Sequence, residues 1–249
     1  MTENARSFGA NAQAYAAGRP GYPDALFDWI AEQAPSRGAV WDCATGSGQA
    51  ARSLASRFER VFATDMSADQ LAAAEPHPGI IFAQAPAEAS GLADRSVDAV
   101  TVATALHWFD FDRFWEEVRR VAKPGGLFCA WTYGEADAAP DVREHLIDPV
   151  LELVEPYWAE GNWLSLRGYP REEIKFPLEE IKPPAISLQP GWNSADLAAF
   201  IGTWSAVTRA RDDGHAAALD ALFASATKAL AGRQLDVSLP LTIVAGRIG

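Results

Sequence analysis

The sequence predicts an α/β fold in which helices cover both faces of a mostly parallel sheet. Two observations carry this. The segment Val40-Trp41-Asp42-Cys43-Ala44-Thr45-Gly46-Ser47-Gly48-Gln49 is a short apolar run that ends in an acid and turns through a loop with two glycines. Ala51, Leu54, Ala55 and Phe58 then follow at helical spacing. Strand, glycine turn and helix in that order open the nucleotide-binding α/β folds. Downstream, short apolar runs keep alternating with amphipathic ones as far as Trp131, and such alternation implies a doubly wound sheet.

The elements follow in chain order. Pro23 opens a helix with Leu26, Phe27, Ile30 and Ala34 on one face, proline being favourable in a first turn. The run ending at Asp42 is the first strand. Arg60 to Asp65 is a second strand, Ile80-Ile81-Phe82 a short third and Val97 to Ala103 the fourth. Asp110 caps a helix with Phe111, Phe114, Trp115, Val118 and Val121 inward, and Lys123-Pro124-Gly125-Gly126 stops it. Leu127 to Trp131 is the fifth strand. Ligands of such sheets bind at the carboxyl ends of the strands, which places Asp42, Asp65, Thr104 and Trp131 together. After a linker at 134–140 the pattern turns helical, with Leu146, Ile147, Val150, Leu151 and Val154 on one face and Trp158 and Trp163 in a loop-like stretch. Ala185 to Leu188 reads as a late strand. Leu197, Phe200, Ile201 and Trp204 form a core-facing helical stripe, His215 to Leu230 a last helix and Leu241 to Ala245 a final strand.

The glycine turn constrains the ligand. Gly46-Ser47-Gly48-Gln49-Ala50-Ala51 satisfies the dinucleotide fingerprint, which alone is weak. A dinucleotide would set its pyrophosphate at the helix N-terminus, beside Asp42, where an unpaired carboxylate repels it. The Gly-Lys-Ser/Thr of a triphosphate loop is missing. A cofactor with a sulfonium and an ammonium and no phosphate suits Asp42, and S-adenosylmethionine is such a cofactor. Asp65 lies about 20 residues past the turn, where an acid holds ribose hydroxyls. The alternative is that Asp65 caps the helix starting near Ser67.

On these residues the chain resembles the class I S-adenosylmethionine-dependent methyltransferases, and within them the small-molecule branch that includes trans-aconitate methyltransferase-like proteins. Phe8-Gly9 to Tyr15 with Arg19-Pro20-Gly21-Tyr22-Pro23 resembles the N-terminal cap of that branch. Asp42 to Gln49 resembles its first motif. Ser96 to Asp110, with Thr104-Ala105-Leu106-His107-Trp108, resembles its fourth strand and following loop, and Val118 to Leu127 the turn into its fifth strand. The resemblance implies a seven-stranded Rossmann-like sheet with a helical lid inserted in the C-terminal half. The implied organisation is a cap and first helix over 1–35, a cofactor-binding core over 36–134, a lid over 135–180 and the remaining strands and helices over 181–249. Two departures stand out. Ala44 occupies a position the family gives to glycine, and Ala83-Gln84-Ala85-Pro86-Ala87-Glu88 has no acid at the usual adenine position. Adenine recognition then falls to the backbone near Ala87, with Glu88 as a partner.

Composition sets the outer bounds. The chain has 249 residues, 49% hydrophobic, with a net charge of −12, which supports a real core. Its negative charge disfavours nucleic acid and anionic membranes, since phosphates need clustered Lys and Arg. No apolar run approaches the roughly 18 residues of a membrane span, and the start of the chain lacks a signal-peptide core. These features imply a cytoplasmic protein whose partner is a small-molecule methyl acceptor. Nothing in the sequence speaks to oligomeric state. Cys43 and Cys129 fall in central strands and read as free core thiols, and no metal-ligand pattern is present.

The cofactor set implied is therefore Asp42, Ala44, Gly46, Gly48, Gln49, Asp65, Met66, Ala87, Glu88, Thr104 and His107, with Tyr15 and Arg19 from the cap. His107 is read first as a cofactor contact; its pKa range also suits a general base, and the other alternative is that it only ties down its loop. Arg19 either pairs with a carboxylate or sits on the surface. Trp131, Tyr133, Tyr22 and Trp163 are the candidate acceptor wall, whereas Trp204 reads as core and Arg167 as solvated. The reaction expected is in-line methyl transfer to an oxygen, carboxylate or hydroxyl. The alternatives are a non-catalytic S-adenosylmethionine-binding protein and an NAD-dependent oxidoreductase. The Asn/Asp-Pro-Pro-aromatic motif of enzymes that methylate base amino groups is absent after the fourth strand.

Overall fold

Five parallel strands build the centre of the molecule, the inner ones buried and the third in chain order at the exposed edge. In the computed structural model, which describes residues 20–249, β1 (Ala39–Cys43), β2 (Arg60–Asp65), β3 (Ile80–Gln84), β4 (Val97–Ala103) and β5 (Ala122–Tyr133) are parallel neighbours. Every residue of β1 is buried, as expected for a parallel strand covered on both faces. The register sets Val40 beside Val61 on one side and Trp41 beside Val100 on the other. β9 (Val237–Arg247) adds antiparallel to β5, so the long strands run β3-β2-β1-β4-β5-β9. The chain leaves β1 outward to β2 and β3, then returns to the other side of β1 as β4. The crevice of such a sheet opens at that reversal, above the carboxyl ends of β1 and β4.

The seventh position, outside β9, is shared by three two-residue strands: β6 (Asp137–Ala138), β7 (Glu179–Glu180) and β8 (Ser187–Leu188). β5 is longer than the five residues expected, because the Lys123-Pro124-Gly125-Gly126 stop is absorbed into the strand as a register shift between Val97 and Ala99 of β4. Gly125 takes φ +74° there, a conformation glycine adopts without steric cost.

Helices cover both faces. α1 (Asp24–Gln33) and α2 (Gln49–Ala55) bury Leu26, Phe27, Ile30, Ala51 and Leu54 against one face. α3 (Ala68–Ala72) is a short turn after β2. α4 (Phe111–Val121), capped by Asp110, buries Phe114, Trp115 and Val118 against the other. Cys43 and Cys129 lie on opposite faces, both free and buried.

A second helical body follows β5. α5 (Pro140–Val142) runs through a π turn (Arg143–Ile147) into α6 (Asp148–Val154), followed by α7 (Glu160–Leu166), α8 (Ser194–Gly202), α9 (Ser205–Ala210) and α10 (Ala216–Ala229). α5, α6 and α8 to α10 share one apolar cluster with Val237 and Leu239 of β9. The helical part is thus not confined to 135–180: helices from both sides of that boundary are needed to close one core. Trp163 stands in α7 rather than in a loop, and Trp204 is the half-buried residue that precedes α9. Among the described residues no helix is long and apolar enough to cross a membrane.

Candidate active site

Three residues with positive φ shape the turn after β1: Ala44 at +55°, Gly46 at +57° and Gly48 at +81°. Ala44 therefore adopts the left-handed conformation that glycine favours, at a cost of about 1 kcal/mol. A Cβ on Gly48 would stand 3.0 Å from the Phe82 ring, so this glycine serves packing as well as backbone geometry. Gly46 is open: a Cβ there would meet only the Gln70 side chain, at 3.7 Å.

Asp42 does not face the cavity. It is fully buried beneath the loop, accepting the hydroxyls of Thr45 at 2.6 Å and Thr101 at 2.9 Å. β1 is flanked on both sides, so its last acid is enclosed by β2, β4 and the turn. Burial pushes its pKa up to about 6, against the two hydroxyl donors that favour the charged form. The expected direct contact with a cofactor cation is replaced by a charge held under the loop.

Asp65 is placed differently. Its two oxygens accept the backbone N–H groups of Gly46 and Ser67, each at 2.8 Å, and it lines the cavity. Burial raises its pKa and these two amides oppose the rise. The cap of α3 is Ser67, whose hydroxyl accepts from Gln70 N, so capping does not explain Asp65.

The cavity opens above β1 and β4 with a volume of about 470 Å³, within the range of small-molecule sites. The glycine turn supplies Ala44, Gly46 and Gln49, and the end of β2 supplies Asp65 and Met66. The loop after β3 supplies Ala87 and Glu88, β4 ends in Thr104, and Tyr22 enters from the segment before α1. Met66 is 44% exposed, an apolar side chain held at the cavity lip. Glu88 accepts Asp110 N at 3.0 Å and so joins the loop after β3 to the start of α4. Thr104 has φ +52°. For a β-branched residue that is a strained backbone, and such strain concentrates at functional sites.

Besides Asp42, five expected residues stand outside the cavity lining. Gly48 packs on Phe82. His107 does not line the cavity: its Nδ1 shares a 2.9 Å hydrogen bond with the Tyr169 hydroxyl. Tyr169 is fully buried, and burial pushes its phenol well above the ordinary range, against a hydrogen bond with Thr132. The 3-10 turn Leu106–Trp108 turns His107 toward this pair and Trp108 toward the cavity. Trp131 is fully buried on the α1 side of β5. Tyr133 stacks on Tyr22 at 5.6 Å and donates to Pro20 O at 3.3 Å. Trp163, 41% exposed on α7, lies outside the lining. Tyr15 and Arg19 fall outside the described residues.

Sequence reasoning passed over Trp108, Ala103 and Arg113, all of which line the cavity. A signal for Arg113 existed: with Asp110 as N-cap, residue 113 sits in the first turn of α4, beside the loop that follows β4. α7 reaches the same loop, since a Cβ on Gly161 would stand 2.8 Å from His107 O and 3.3 Å from the Trp108 ring.

The fold recurs in a solved structure described as a type II methyltransferase from Anaeromyxobacter dehalogenans. It is 42% identical, matched over 92% of this chain and 98% of its own, with a TM-score of 0.82. The chain belongs to the class I S-adenosylmethionine-dependent methyltransferases. The family model for the methyltransferase domain matches residues 41–130, from the centre of β1 into β5. A methyltransferase of Mycobacterium tuberculosis is 42% identical over 129 residues, half of this chain and 51% of the relative. A methyltransferase of Saccharomyces cerevisiae described as S-adenosylmethionine-dependent is 31% identical over 124 residues, 46% of this chain and 43% of its own. The cofactor of this methyltransferase is S-adenosylmethionine. The donor set fits it: an acid for ribose hydroxyls, an open glycine turn for the amino acid part and an exposed methionine for an apolar ring.

Proposed function

We propose that this methyltransferase acts on an oxygen of a small-molecule acceptor, a carboxylate first and a hydroxyl second. The observation that carries the reading is the division of the cavity. Its charged lining groups, Asp65, Glu88, Asp110 and Arg113, gather where β2, β3 and α4 begin or end their loops. The end formed by β4 and the segment before α1 presents Tyr22, Ala103, Thr104 and Ala105. An aromatic, weakly polar end suits a nucleophile that needs no side-chain base, because a carboxylate is already ionised at neutral pH.

In this reading Asp65 holds the ribose hydroxyls with the lone pairs left by Gly46 and Ser67. Met66 and Ala87 enclose the adenine, the Ala87 amide and Glu88 serving its edge. The glycine turn carries the amino acid part, with Asp42 placing a negative charge beneath it. When bound, S-adenosylmethionine supplies an electrophilic methyl group whose C–S bond pair leaves with sulfur as a neutral thioether. The chain's own task is to align acceptor and methyl group and to exclude water; with a carboxylate acceptor no proton has to move. Tyr22, Thr104 and Trp108 do this, and His107 acts by fixing the loop that carries Trp108.

The test is calorimetric titration with S-adenosylmethionine and S-adenosylhomocysteine, NADH serving as control, followed by turnover with a panel of carboxylic and hydroxy acids read by mass spectrometry. Binding of both adenosyl ligands with methyl ester formation supports the reading. Binding with methylation of amines alone overturns the oxygen assignment.

A further inference from the structure

Resting on the acceptor site just proposed, we infer that the Trp131 indole N–H is the donor that orients the acceptor, and that the acceptor is a planar aromatic acid. The chain pairs its other fully enclosed indoles: Trp41 Nε1 donates to Thr64 Oγ1 at 2.9 Å and Trp115 Nε1 to Ile174 O at 2.8 Å. Trp131 Nε1 has no hydrogen-bond partner among the described residues, although the residue is 0% exposed. A donor left unpaired in an apolar core costs stability and calls for an explanation. A resident water would be poorly held there, since it needs several polar partners and the rings around the indole are Phe27 and Tyr22.

Position supplies the explanation. Trp131 stands directly behind two residues of the cavity wall. Tyr22 meets it edge-on with centroids 5.3 Å apart, and Ala103 is its partner in the β4–β5 register. Its carbonyl accepts the N–H of the strained Thr104 at 2.7 Å, which ties it to the end of β4. Tyr22 belongs to neither helix nor strand and stacks on Tyr133 at an angle of 20°. When Tyr22 turns aside, a flat ring takes its place on Tyr133 and one carboxylate oxygen accepts the indole N–H. The second oxygen is then free to attack. A neutral donor suits this task, because it orients the carboxylate without protonating it.

The test uses the full chain with 15N-labelled indoles, saturated with S-adenosylhomocysteine and titrated with benzoate; cyclohexanecarboxylate is the non-planar control. The Trp131 resonance is the one missing from Trp131→Phe, or, should that variant not fold, the one with contacts to the Ala103 methyl. Expected are a downfield shift with benzoate and little with the control, and a loss of at least about tenfold in benzoate affinity in Trp131→Phe. That variant is expected to bind S-adenosylhomocysteine as the unaltered protein does. An unmoved Trp131 resonance in protein that binds S-adenosylhomocysteine overturns the inference and leaves the cofactor reading standing. Failure to bind S-adenosylhomocysteine brings down both.

Discussion

The carboxylate of Asp65 accepts the backbone N–H of Gly46 at 2.8 Å, so the end of β2 holds the glycine turn that follows β1. One acid thereby links the two strand ends that frame the cavity. Its other oxygen, on Ser67 N, orients the start of α3. The proposed ribose contact and the architecture meet in this side chain.

Asp65→Ala is expected to weaken S-adenosylmethionine binding by about 1.5–3 kcal/mol, the worth of hydrogen bonds to a charged group. That corresponds to roughly 10- to 150-fold in the dissociation constant. Because Gly46 N and Ser67 N lose their acceptor, the melting temperature should fall too. Calorimetry and thermal melts read the two effects separately. Unchanged affinity with a lower melting point would leave Asp65 a purely architectural role.

Asp42 predicts a pH dependence. Its native pKa of about 6 lies above the ordinary 3.8, so the native state binds this proton more tightly than the unfolded chain. The stability it contributes is complete below about pH 4, declines as pH rises and is lost above about pH 6. Asp42→Asn cannot titrate. It should therefore be more stable than the parent at pH 8, by up to about 3 kcal/mol, and equal to it near pH 4. Its affinity for the cationic cofactor should be lower at pH 8. Denaturant melts at the two pH values decide the sign.

The turn after β1 gives a pair of backbone predictions. Ala44→Gly relieves a left-handed alanine and is expected to add about 0.5–1 kcal/mol of stability. Gly48→Ala drives a methyl group against Phe82 at 3.0 Å and keeps φ at +81°, so it should cost about 1–3 kcal/mol. Chemical denaturation of both variants checks them. A stabilised Gly48→Ala would contradict the packing argument.

At the opposite end of the sheet, Asp98 is 1% exposed and bridges Lys123 Nζ at 2.7 Å and Ala39 N at 2.8 Å. Burial works to raise its pKa, but Lys123 and the Ala39 amide outweigh it and hold the group below its ordinary value. Asp98→Ala should cost about 1–3 kcal/mol, because it leaves the buried Ala39 amide without its acceptor, while Lys123, 40% exposed, can turn to solvent. S-adenosylhomocysteine affinity should be unchanged.

His107→Gln tests whether that residue acts as a base. Its Nδ1 is engaged by the Tyr169 hydroxyl, and the role proposed for the ring is to position the loop. Turnover should fall by less than about tenfold, below the usual contribution of a general base, and the pH profile should keep its shape. Loss of the acidic limb of that profile would restore the base assignment.

Much of the site was legible because it is local. Asp42, the glycine turn and Asp65 lie on consecutive strand and loop segments whose spacing constrains where they end. Trp131 and Tyr133 were legible as residues at the end of β5, but not in their facing. Side chains alternate along a strand, and which face meets the cavity depends on what packs there, here α1 and Tyr22. His107 illustrates the same limit in a loop: a residue at the right strand end is turned away by Tyr169, 62 positions downstream.

By itself the sequence determined the order of the elements, the parallel sheet and the acid–glycine–acid signature of the cofactor, because hydrophobic period and turn chemistry are properties of neighbouring residues. Only the tertiary structure decided that Asp42 lies under the loop, that helices on both sides of residue 180 close one core, and that Trp131 is enclosed with a donor unpaired among the described residues. Those outcomes depend on contacts between segments far apart in the chain, where burial and hydrogen-bond partners are set by the whole fold rather than by local pattern.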